Sequence, residues 1–372
     1  MKSWKKGLVL ALALSLCLLS CGCGYQELYE RLLIHGIGVD RTENGFAVTV
    51  RSSISTEDEG EEYFKSEGAS VLEALNDLSL STGREPFYAH NYLVVFGREC
   101  AEEGLDQCMD FFVRYYNTRP AVQMYLAENT AEEVLSAQKD GKFLKMSEIQ
   151  QLGDSSRYNG KTVGVEILDF VNGVKREGSS PILPVLGAAE SGVEVKSTAY
   201  FDGYRLKGFL TLDETRGYLA VKDQIEKGEA VVSGDSFGSV TLSLSSGGAK
   251  VRVRMDEAGK PVFRIEVRVE ADVSAISGGR SRLEEGLYGE LEGQIAGEVK
   301  EAVSAAVTRT VLEDRCDIFG FGNLLFQKYP DYWRTAAAGW KEQMAECRYE
   351  VRVSAKVLRI EQETLALAGS AS

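Results

Sequence analysis

Residues 281–314 have the sequence SRLEEGLYGELEGQIAGEVKEAVSAAVTRTVLED, the stretch that decides the fold of the C-terminal half. Aliphatic side chains occupy every fourth position of this stretch: Leu283, Leu287, Leu291, Ile295, Val299, Val303, Val307 and Val311. Because an α-helix repeats every 3.6 residues, a spacing of four makes the stripe drift by about 40° per step. A drifting stripe contacts more than one neighbour, which indicates one long helix cradled by a curved sheet.

The segments around this helix alternate apolar and polar residues between glycine turns, as β-strands do. Strands are predicted at residues 197–201, 205–210, 229–233, 239–245, 250–255, 262–271 and 349–360, with Gly247-Gly248 as one of the turns. Asp213 is predicted to cap a helix that runs to about residue 227. The pattern predicts a C-terminal domain, residues 195–366, in which a curved sheet cradles the long helix.

The N-terminal half alternates strands with amphipathic helices instead. Strands are predicted at residues 32–39, 46–54, 92–96 and 121–128, and helices at residues 69–80, 105–115 and 130–138. Residues 57–67 are predicted to be an exposed acidic connection, and residues 187–193 a linker. The prediction is an α+β, multi-domain protein whose N-terminal region, residues 21–190, has a mixed sheet in one or two subdomains.

The first twenty residues have the pattern of an export signal. Three lysines precede an uncharged apolar run at residues 7–19. This run of about 13 residues is shorter than the roughly 20 that span a bilayer, which favours a cleaved signal peptide, residues 1–20. Leu18 and Ser20 place Cys21 in a bacterial lipobox, and Cys23 is the alternative acylation site. A diacylglycerol thioether and an N-acyl chain would give stable membrane anchoring.

The charge of the chain excludes one class of partner. The formal net charge is −14, and removing residues 1–20, with three lysines and no acid, makes it −17. Such a chain repels phosphate backbones, so we expect no nucleic-acid partner. The same balance argues against a basic patch that grips anionic lipid head groups.

The polar residues indicate no enzyme, cofactor or metal site. The chain has two histidines, His35 and His90, and neither stands in a pattern typical of a nucleophile set. Four cysteines follow the lipobox, and none has the spacing of a zinc site: Cys100, Cys108, Cys316 and Cys347. Cys100 with Cys108, or Cys316 with Cys347, could pair, and free buried thiols are the favoured interpretation.

An aromatic segment after the long helix is the candidate structural or docking motif. It contains Asp317, Ile318, Phe319, Gly320, Phe321 and Gly322, followed by Trp333 and Trp340. Aromatic residues at this density pack a core or meet a partner. Packing is the favoured interpretation, and Glu214 and Arg216 are the next candidates.

The chain resembles the Ger(x)C family, the lipoprotein C subunits of spore germinant receptors. In the N-terminal half the matching residues are Glu27-Leu28, Gly36-Ile37-Gly38-Val39-Asp40, His90, Phe96-Gly97, Ala101, Gly104-Leu105 and Asp110-Phe111. In the C-terminal half they are Ser197-Thr198-Ala199, Phe201, Gly208, Leu210, Glu214-Thr215-Arg216-Gly217, Val231-Val232, Asp317 to Gly322 in full, Tyr329-Pro330, Trp333 and Trp340. The family often has Cys-Trp-Asp at the mature N-terminus, where this chain has Cys-Gly-Cys-Gly-Tyr.

The resemblance implies an α+β fold with a curved antiparallel sheet against the long C-terminal helix. It also implies a role in a complex rather than a reaction. It implies a non-catalytic lipoprotein on the outer face of the spore inner membrane, beside an A-type and a transporter-like B-type membrane subunit, in nutrient-triggered germination. Germinant recognition falls to those other subunits. The alternative from another class is a solute-binding lipoprotein of a transporter, which predicts a deep cleft lined by polar and aromatic groups.

Overall fold

The computed structural model describes Trp4 and residues 31–53, 61–114, 121–190, 192–235, 237–277 and 285–360. The predicted signal peptide and both lipobox cysteines, Cys21 and Cys23, lie outside these residues. The described chain combines helices with a large mixed sheet and a smaller sheet, so the predicted α+β class is confirmed.

The N-terminal half is built on the large sheet. Its first elements are β1 (Arg31–Thr42), β2 (Gly45–Ser53), β3 (Glu61–Gly68), α1 (Val71–Thr82), β4 (Glu85–Phe87), β5 (Leu93–Phe96), α2 (Arg98–Glu103), α3 (Asp106–Arg114), β6 (Gln123–Ala127) and α4 (Ala131–Leu135). They are followed by β7 (Gln138–Lys139), β8 (Lys142–Phe143), α5 (Met146–Asp154), α6 (Ser156–Asn159), α7 (Ile167–Lys175), β9 (Ile182–Ala189), β10 (Gly192–Asp202) and β11 (Arg205–Leu210). The strand order is β11-β10-β9-β6-β5-β1-β2-β3, with β4 beside β1.

The centre of this sheet is parallel and its two flanks are antiparallel. β1, β5, β6 and β9 pair in parallel, whereas β2-β3 and β10-β11 continue the sheet in antiparallel hairpins. β5 is buried on both faces, as its unbroken apolar sequence predicts. Val94 and Phe96 pack in the core shared with α1 and α3, while Leu93 and Val95 pack with α4 and α5.

The C-terminal half holds the long helix and a four-stranded sheet. Its elements are α8 (Leu212–Val221), β12 (Gly228–Gly234), β13 (Gly238–Met255), β14 (Pro261–Ser277), α9 (Tyr288–Val307), α10 (Phe321–Lys328), α11 (Pro330–Ala336), α12 (Trp340–Glu346) and β15 (Arg348–Ile360). The strand order is β12-β13-β14-β15; the first two pairs are antiparallel, and β15 joins β14 in parallel.

The predicted long helix 281–314 is present over its described part. A 3-10 turn at Glu285–Leu287 leads into α9, and Thr308–Glu313 extend it as a π-helical segment. The stripe from Leu291 to Val311 is buried, as the spacing of four predicts. α9 packs on α8 and on β15, so the drifting stripe does contact more than one neighbour.

Three local predictions are wrong, each because polar or small residues were assigned to connections. Within predicted connection 57–67, residues from Glu61 onward form edge strand β3, whose charged side chains alternate along a sheet border. Predicted linker 187–193 belongs mainly to the antiparallel hairpin of β9 and β10. Gly247-Gly248 form a bulge in the continuous strand β13, where Gly248 has φ +117°.

The cap of α8 is a fourth correction. Thr211, not Asp213, is the N-cap: its hydroxyl accepts the Glu214 N–H, and the Glu214 carboxylate accepts the Thr211 N–H. This reciprocal capping box satisfies two free donors at the helix start. The helix ends at Val221 rather than near residue 227, since Asp223 adopts φ +59°. β9 ends at Ala189 and β10 begins at Gly192, close to the predicted domain boundary, which stays a prediction.

Candidate functional site

The candidate motif at residues 317–322 is organised around one buried carboxylate. Asp317 is 3% exposed and lies just before α10. Its Oδ1 accepts the N–H groups of Gly320 (2.8 Å) and Phe321 (3.0 Å), and its Oδ2 accepts the N–H of Gly322 (2.7 Å). The indole Nε1 of Trp340 donates to Oδ2 at 3.2 Å. The carboxylate therefore satisfies the free donors at the start of α10, which the helix dipole reinforces.

Burial and hydrogen bonding act in opposite directions on this carboxylate. Burial raises the pKa of Asp317 above its ordinary value, and the donors from Gly322, Phe321, Trp340 and Gly320 counteract that rise. Lys222 lies nearby and donates from Nζ to the carbonyl of Phe319 at 2.9 Å. Burial lowers the pKa of Lys222, and the charge of Asp317 counteracts that fall.

Aromatic rings seal the motif against the small sheet. Phe321 lies 4.8 Å from Phe263 of β14 and 5.0 Å from Tyr349 of β15, between ring centroids. Phe319 lies 5.4 Å from Phe321, and Tyr218 of α8 packs against Phe319 at 5.8 Å. These offset and tilted contacts are the favoured geometry for aromatic pairs.

The same motif forms backbone hydrogen bonds with residues 178–180, the segment that precedes β9 of the large sheet. Ser180 N–H donates to the Asp317 carbonyl at 2.8 Å, and Asn323 N–H donates to the Gly178 carbonyl at 3.1 Å. Gly178 has φ +61°, and a Cβ there would lie 2.5 Å from the Gly322 backbone. The segment at residues 178–180 thus contacts the motif backbone to backbone, which requires glycine at the crossing.

The two tryptophans of the motif are packed together but have different partners. Their ring centroids are 5.6 Å apart, and both side chains are buried. Trp340 bonds to Asp317, whereas Trp333 Nε1 donates to Glu177 Oε2 at 2.7 Å. We call the set of Glu177, Gly178, Asp317 to Gly322, Trp333 and Trp340 the Asp317 joint, because it ties α10, α12 and the small sheet to the segment preceding β9. A docking role for its residues stays a prediction.

Glu214 and Arg216 lie at a groove rather than in the joint. Glu214 is 7% exposed, and one carboxylate oxygen accepts the Arg309 Nε at 2.7 Å from the π-helical segment. Arg216 donates to the Glu229 carbonyl at 2.9 Å. They line an open groove of about 870 Å³ beside α9. Burial raises the pKa of Glu298, which lines the same groove.

A second groove of about 710 Å³ runs between α7, α8 and the start of β9. Its charged lining residues are of both signs: Asp154, Arg157, Glu166, Asp169, Arg176, Lys222, Asp223 and Glu226. Tyr218 and Phe170 are its aromatic residues. Its volume is in the range of small-molecule sites.

The remaining candidates have no visible chemical role. In the described chain, the four cysteines after the lipobox are free thiols, and Cys100, Cys108 and Cys316 are buried. His35 lies 3.4 Å from Glu61, and His90 packs against Phe87. No three His, Cys, Asp or Glu residues of the described ranges are placed to hold a metal ion. Across those ranges no helix has both the length and the apolar character to cross a bilayer.

The sequence did not predict which distant residues contact the segment from Asp317 to Trp340. Glu177, Gly178 and Lys222 are separated from Asp317 by about a hundred residues or more, and no spacing or motif connects them. A glycine beside two serines and a proline predicts a turn at residues 178–181, but not what that turn contacts.

Comparisons with known proteins match both halves of the chain. The family model described as "Spore germination protein N-terminal domain" matches residues 24–188, and "Spore germination B3/ GerAC like, C-terminal" matches residues 196–361. Spore germination protein KC of Bacillus subtilis (strain 168) is 24% identical over 381 residues, covering 90% of each chain. The crystal structure of the GerBC protein has a TM-score of 0.57 at 16% identity, covering 87% of this chain and 97% of that one, which shows a shared fold.

Proposed function

We propose, from the premise that this chain belongs to the GerAC-like, or Ger(x)C, family of spore germination proteins, that it is the lipid-anchored C subunit of a germinant receptor. The observation that carries the proposal is the pair of family matches, which together span residues 24–188 and 196–361 in family order. In this role the protein is non-catalytic and lies on the outer face of the spore inner membrane. It holds its place beside A-type and B-type membrane subunits, its proposed partners.

The lipobox supports the anchor. Cys21 follows Leu18 and Ser20, and two or more acyl chains on one cysteine hold a protein stably on a bilayer. Intact-mass analysis of the protein extracted from membranes tests this directly. We expect a diacylglycerol adduct that survives Cys23→Ser and is lost in Cys21→Ser. The reverse result would move the anchor to Cys23, and an unmodified chain would refute it.

The complex is tested by isolation from spore membranes. We expect a tagged copy of the full chain to bring down A-type and B-type subunits from detergent extracts. A tagged chain that lacks both cysteines, Cys21→Ser/Cys23→Ser, controls for the contribution of the anchor. Recovery of the protein alone from spores that contain the other subunits would contradict the proposal.

The second groove favours one alternative function. A solute-binding lipoprotein needs a cleft with polar and aromatic lining, and the groove beside α7 and α8 has Arg176, Lys222 and Tyr218 in it. Calorimetric titration of the purified protein with amino acids distinguishes the two functions. We expect no binding heat. Saturable binding that is lost in Arg176→Ala would support the alternative.

A further inference from the structure

The solvent-facing side of the small sheet is basic. β13, β14 and β15 turn alternate side chains toward the hydrophobic core and the others toward solvent over residues 250–254, 264–270 and 348–356. The outward charged residues are Lys250, Arg252, Arg254, Arg264, Glu266, Arg268, Glu270, Arg348, Glu350, Arg352 and Lys356. Eight of them are basic and three are acidic, a formal surplus of +5. We call this surface the basic face.

The basic face differs in sign from the chain as a whole. The net charge of −14 argues against a basic patch that grips anionic lipid head groups, but net charge averages over the whole surface and does not exclude a local positive surplus. The period-two alternation of three neighbouring strands collects arginine and lysine on one side. The hairpin tip beside the face carries Asp256, Glu257 and Lys260, of which Lys260 pairs with Glu346 at 3.1 Å. The tip reduces the positive surplus without reversing it.

The register of the basic face contains both opposite and like charges. Glu266 lies opposite Lys250 and Arg352, and Glu270 lies opposite Lys356. Arg252 lies directly opposite Arg264 in the β13-β14 register, and like charges in that position destabilise a sheet. Glu350 alone faces three arginines, with nitrogen-oxygen distances of 3.1 Å to Arg264, 3.5 Å to Arg348 and 3.7 Å to Arg254. The acids of the face are thus outnumbered locally, and the positive charge is left for an external partner.

Three other cations of the face form no close ion pair, although Arg352 and Lys356 each lie opposite a glutamate in the register. Arg268, Arg352 and Lys356 are exposed and form no ion pair with any described residue. They project from adjacent strands, since Arg268 pairs with Ser354, which lies between Arg352 and Lys356 on the outward side of β15. On the sheet these three side chains form a broad, shallow surface rather than a pocket. Such a surface is complementary to an extended anionic surface.

We propose that the basic face binds the anionic phospholipid head groups of the membrane that carries the lipid anchor, and so sets the orientation of the anchored body. Only charges within about 8 Å of the bilayer are felt at physiological salt, so the acidic remainder of the protein does not cancel the attraction. Basic side chains near such a surface each add to binding. The inference rests on the anchor of the proposed function.

The sequence limits how far the described body can lie from the anchor cysteine. Nine residues lie between Cys21 and Arg31, where the described body begins. Such a segment reaches at most about 34 Å when fully extended. A body of this size has a radius of gyration of about 20 Å, so an anchored chain can turn different faces toward the bilayer. Charge on the face then decides which orientation is populated.

Lysine footprinting of the full, lipidated protein tests the orientation. The protein is incorporated into vesicles of phosphatidylcholine, or of phosphatidylcholine with about a third phosphatidylglycerol, and acetylated briefly with a water-soluble amine reagent. Lys250 and Lys356 report on the face, while the exposed Lys139 and Lys142 report on a distant hairpin. We expect Lys250 and Lys356 to react at least about threefold more slowly on anionic vesicles, with the difference lost near 1 M salt. Lys139 and Lys142 should be unchanged.

A pair of matched variants separates local from net charge. Arg268→Glu/Arg352→Glu reverses two charges of the face and should abolish the protection of Lys250 and Lys356. Lys207→Glu/Lys328→Glu makes the same change in net charge at exposed sites elsewhere and should leave it intact. Labelling of each variant on neutral vesicles should equal that of the unaltered protein, which verifies folding.

Each other outcome overturns the proposal in a distinguishable way. Vesicle flotation shows whether the protein is anchored. If the protein floats with both vesicle types and its lysines are labelled equally on both, the face does not bind lipid, and the proposed anchored function is unaffected. Protection that is absent on anionic vesicles and present in native membranes with A-type and B-type subunits assigns the face to an acidic protein surface instead. A chain that floats with neither vesicle refutes the anchor, and this orientation with it.

Discussion

Asp317 and Arg51 are both buried charges, one in each half of the molecule, and they are satisfied in different ways. Asp317 accepts four hydrogen bonds, three of them from the next five residues of its own chain. Arg51, 0% exposed on β2, donates to the Leu135 carbonyl at 2.6 Å and lies 3.1 Å from Glu61. Its Nε has no hydrogen-bond partner among the described residues.

The two charges differ in how far along the chain most of their partners lie. The Asp317 carboxylate is hydrogen-bonded by backbone N–H groups of the turn and helix start that follow it in the chain. The guanidinium at 51 depends on Glu61 of β3, Leu135 of α4 and Phe143, whose ring centroid is 4.3 Å from the guanidinium carbon. Burial lowers the pKa of Arg51, and Glu61 counteracts that effect. A buried charge with distant partners is more easily left unpaired.

The largest expected effect comes from deleting the local carboxylate. Asp317→Ala leaves three backbone N–H groups and one indole N–H without an acceptor in a buried region, so we expect a loss of about 3–5 kcal/mol in the free energy of unfolding. Urea unfolding followed by tryptophan fluorescence measures it. Asp331→Ala, at a carboxylate 88% exposed, is the matched control and should change stability by less than about 0.5 kcal/mol. Equal effects at the two positions would contradict the assignment of Asp317 as the centre of the joint.

The features that the sequence predicts are mostly those that depend on neighbouring residues, and the features that it misses include contacts between distant residues. The α9 stripe and the β5 strand depend on neighbours within a few residues, and both were predictable from period and composition. Around Asp317 the sequence indicated an aromatic motif but not the helix α10 that begins there. Strand β3 was not predicted because its charged edge sequence resembles a connection. The contact of Gly178 with Gly322 was not predictable because the two residues lie far apart along the chain. The basic face belongs to this second class, since three strands must pair before its charges become neighbours.

A smaller effect is expected at the long-range charge. Arg51→Met retains volume but leaves Glu61, 10% exposed, without its cationic partner, and we expect a loss of about 3 kcal/mol. Changing both partners, as Arg51→Met/Glu61→Gln, should recover more than half of that loss because no buried charge then lacks a partner. A double variant as unstable as the single one would show that Arg51 acts through packing on Phe143 rather than through charge.

The backbone crossing at the joint predicts a further, smaller difference between two glycines. Gly178→Ala must adopt φ +61° and also places its Cβ 2.5 Å from the Gly322 backbone. Gly83→Ala meets a similar φ of +65° with no atom within 4 Å. Thermal unfolding of both variants should show Gly178→Ala to be about 2 kcal/mol more destabilised than Gly83→Ala, the added cost being the overlap. Equal destabilisation would mean that the segment at residues 178–180 can move away from the joint at little cost.

The smallest expected effect concerns one hydrogen bond at each tryptophan. It tests whether losing a hydrogen bond costs more when its acceptor is buried. Trp333→Phe and Trp340→Phe remove the same indole N–H and similar volumes from two side chains that are 4% and 5% exposed. The first leaves Glu177, an exposed carboxylate that water can solvate, while the second leaves Asp317, which water does not reach. We therefore expect Trp340→Phe to lower the free energy of urea unfolding by about 1 kcal/mol more than Trp333→Phe. If the order were reversed, the link from Trp333 to Glu177 would be the stronger attachment of the joint to the N-terminal half, and the four donors at Asp317 would be partly redundant.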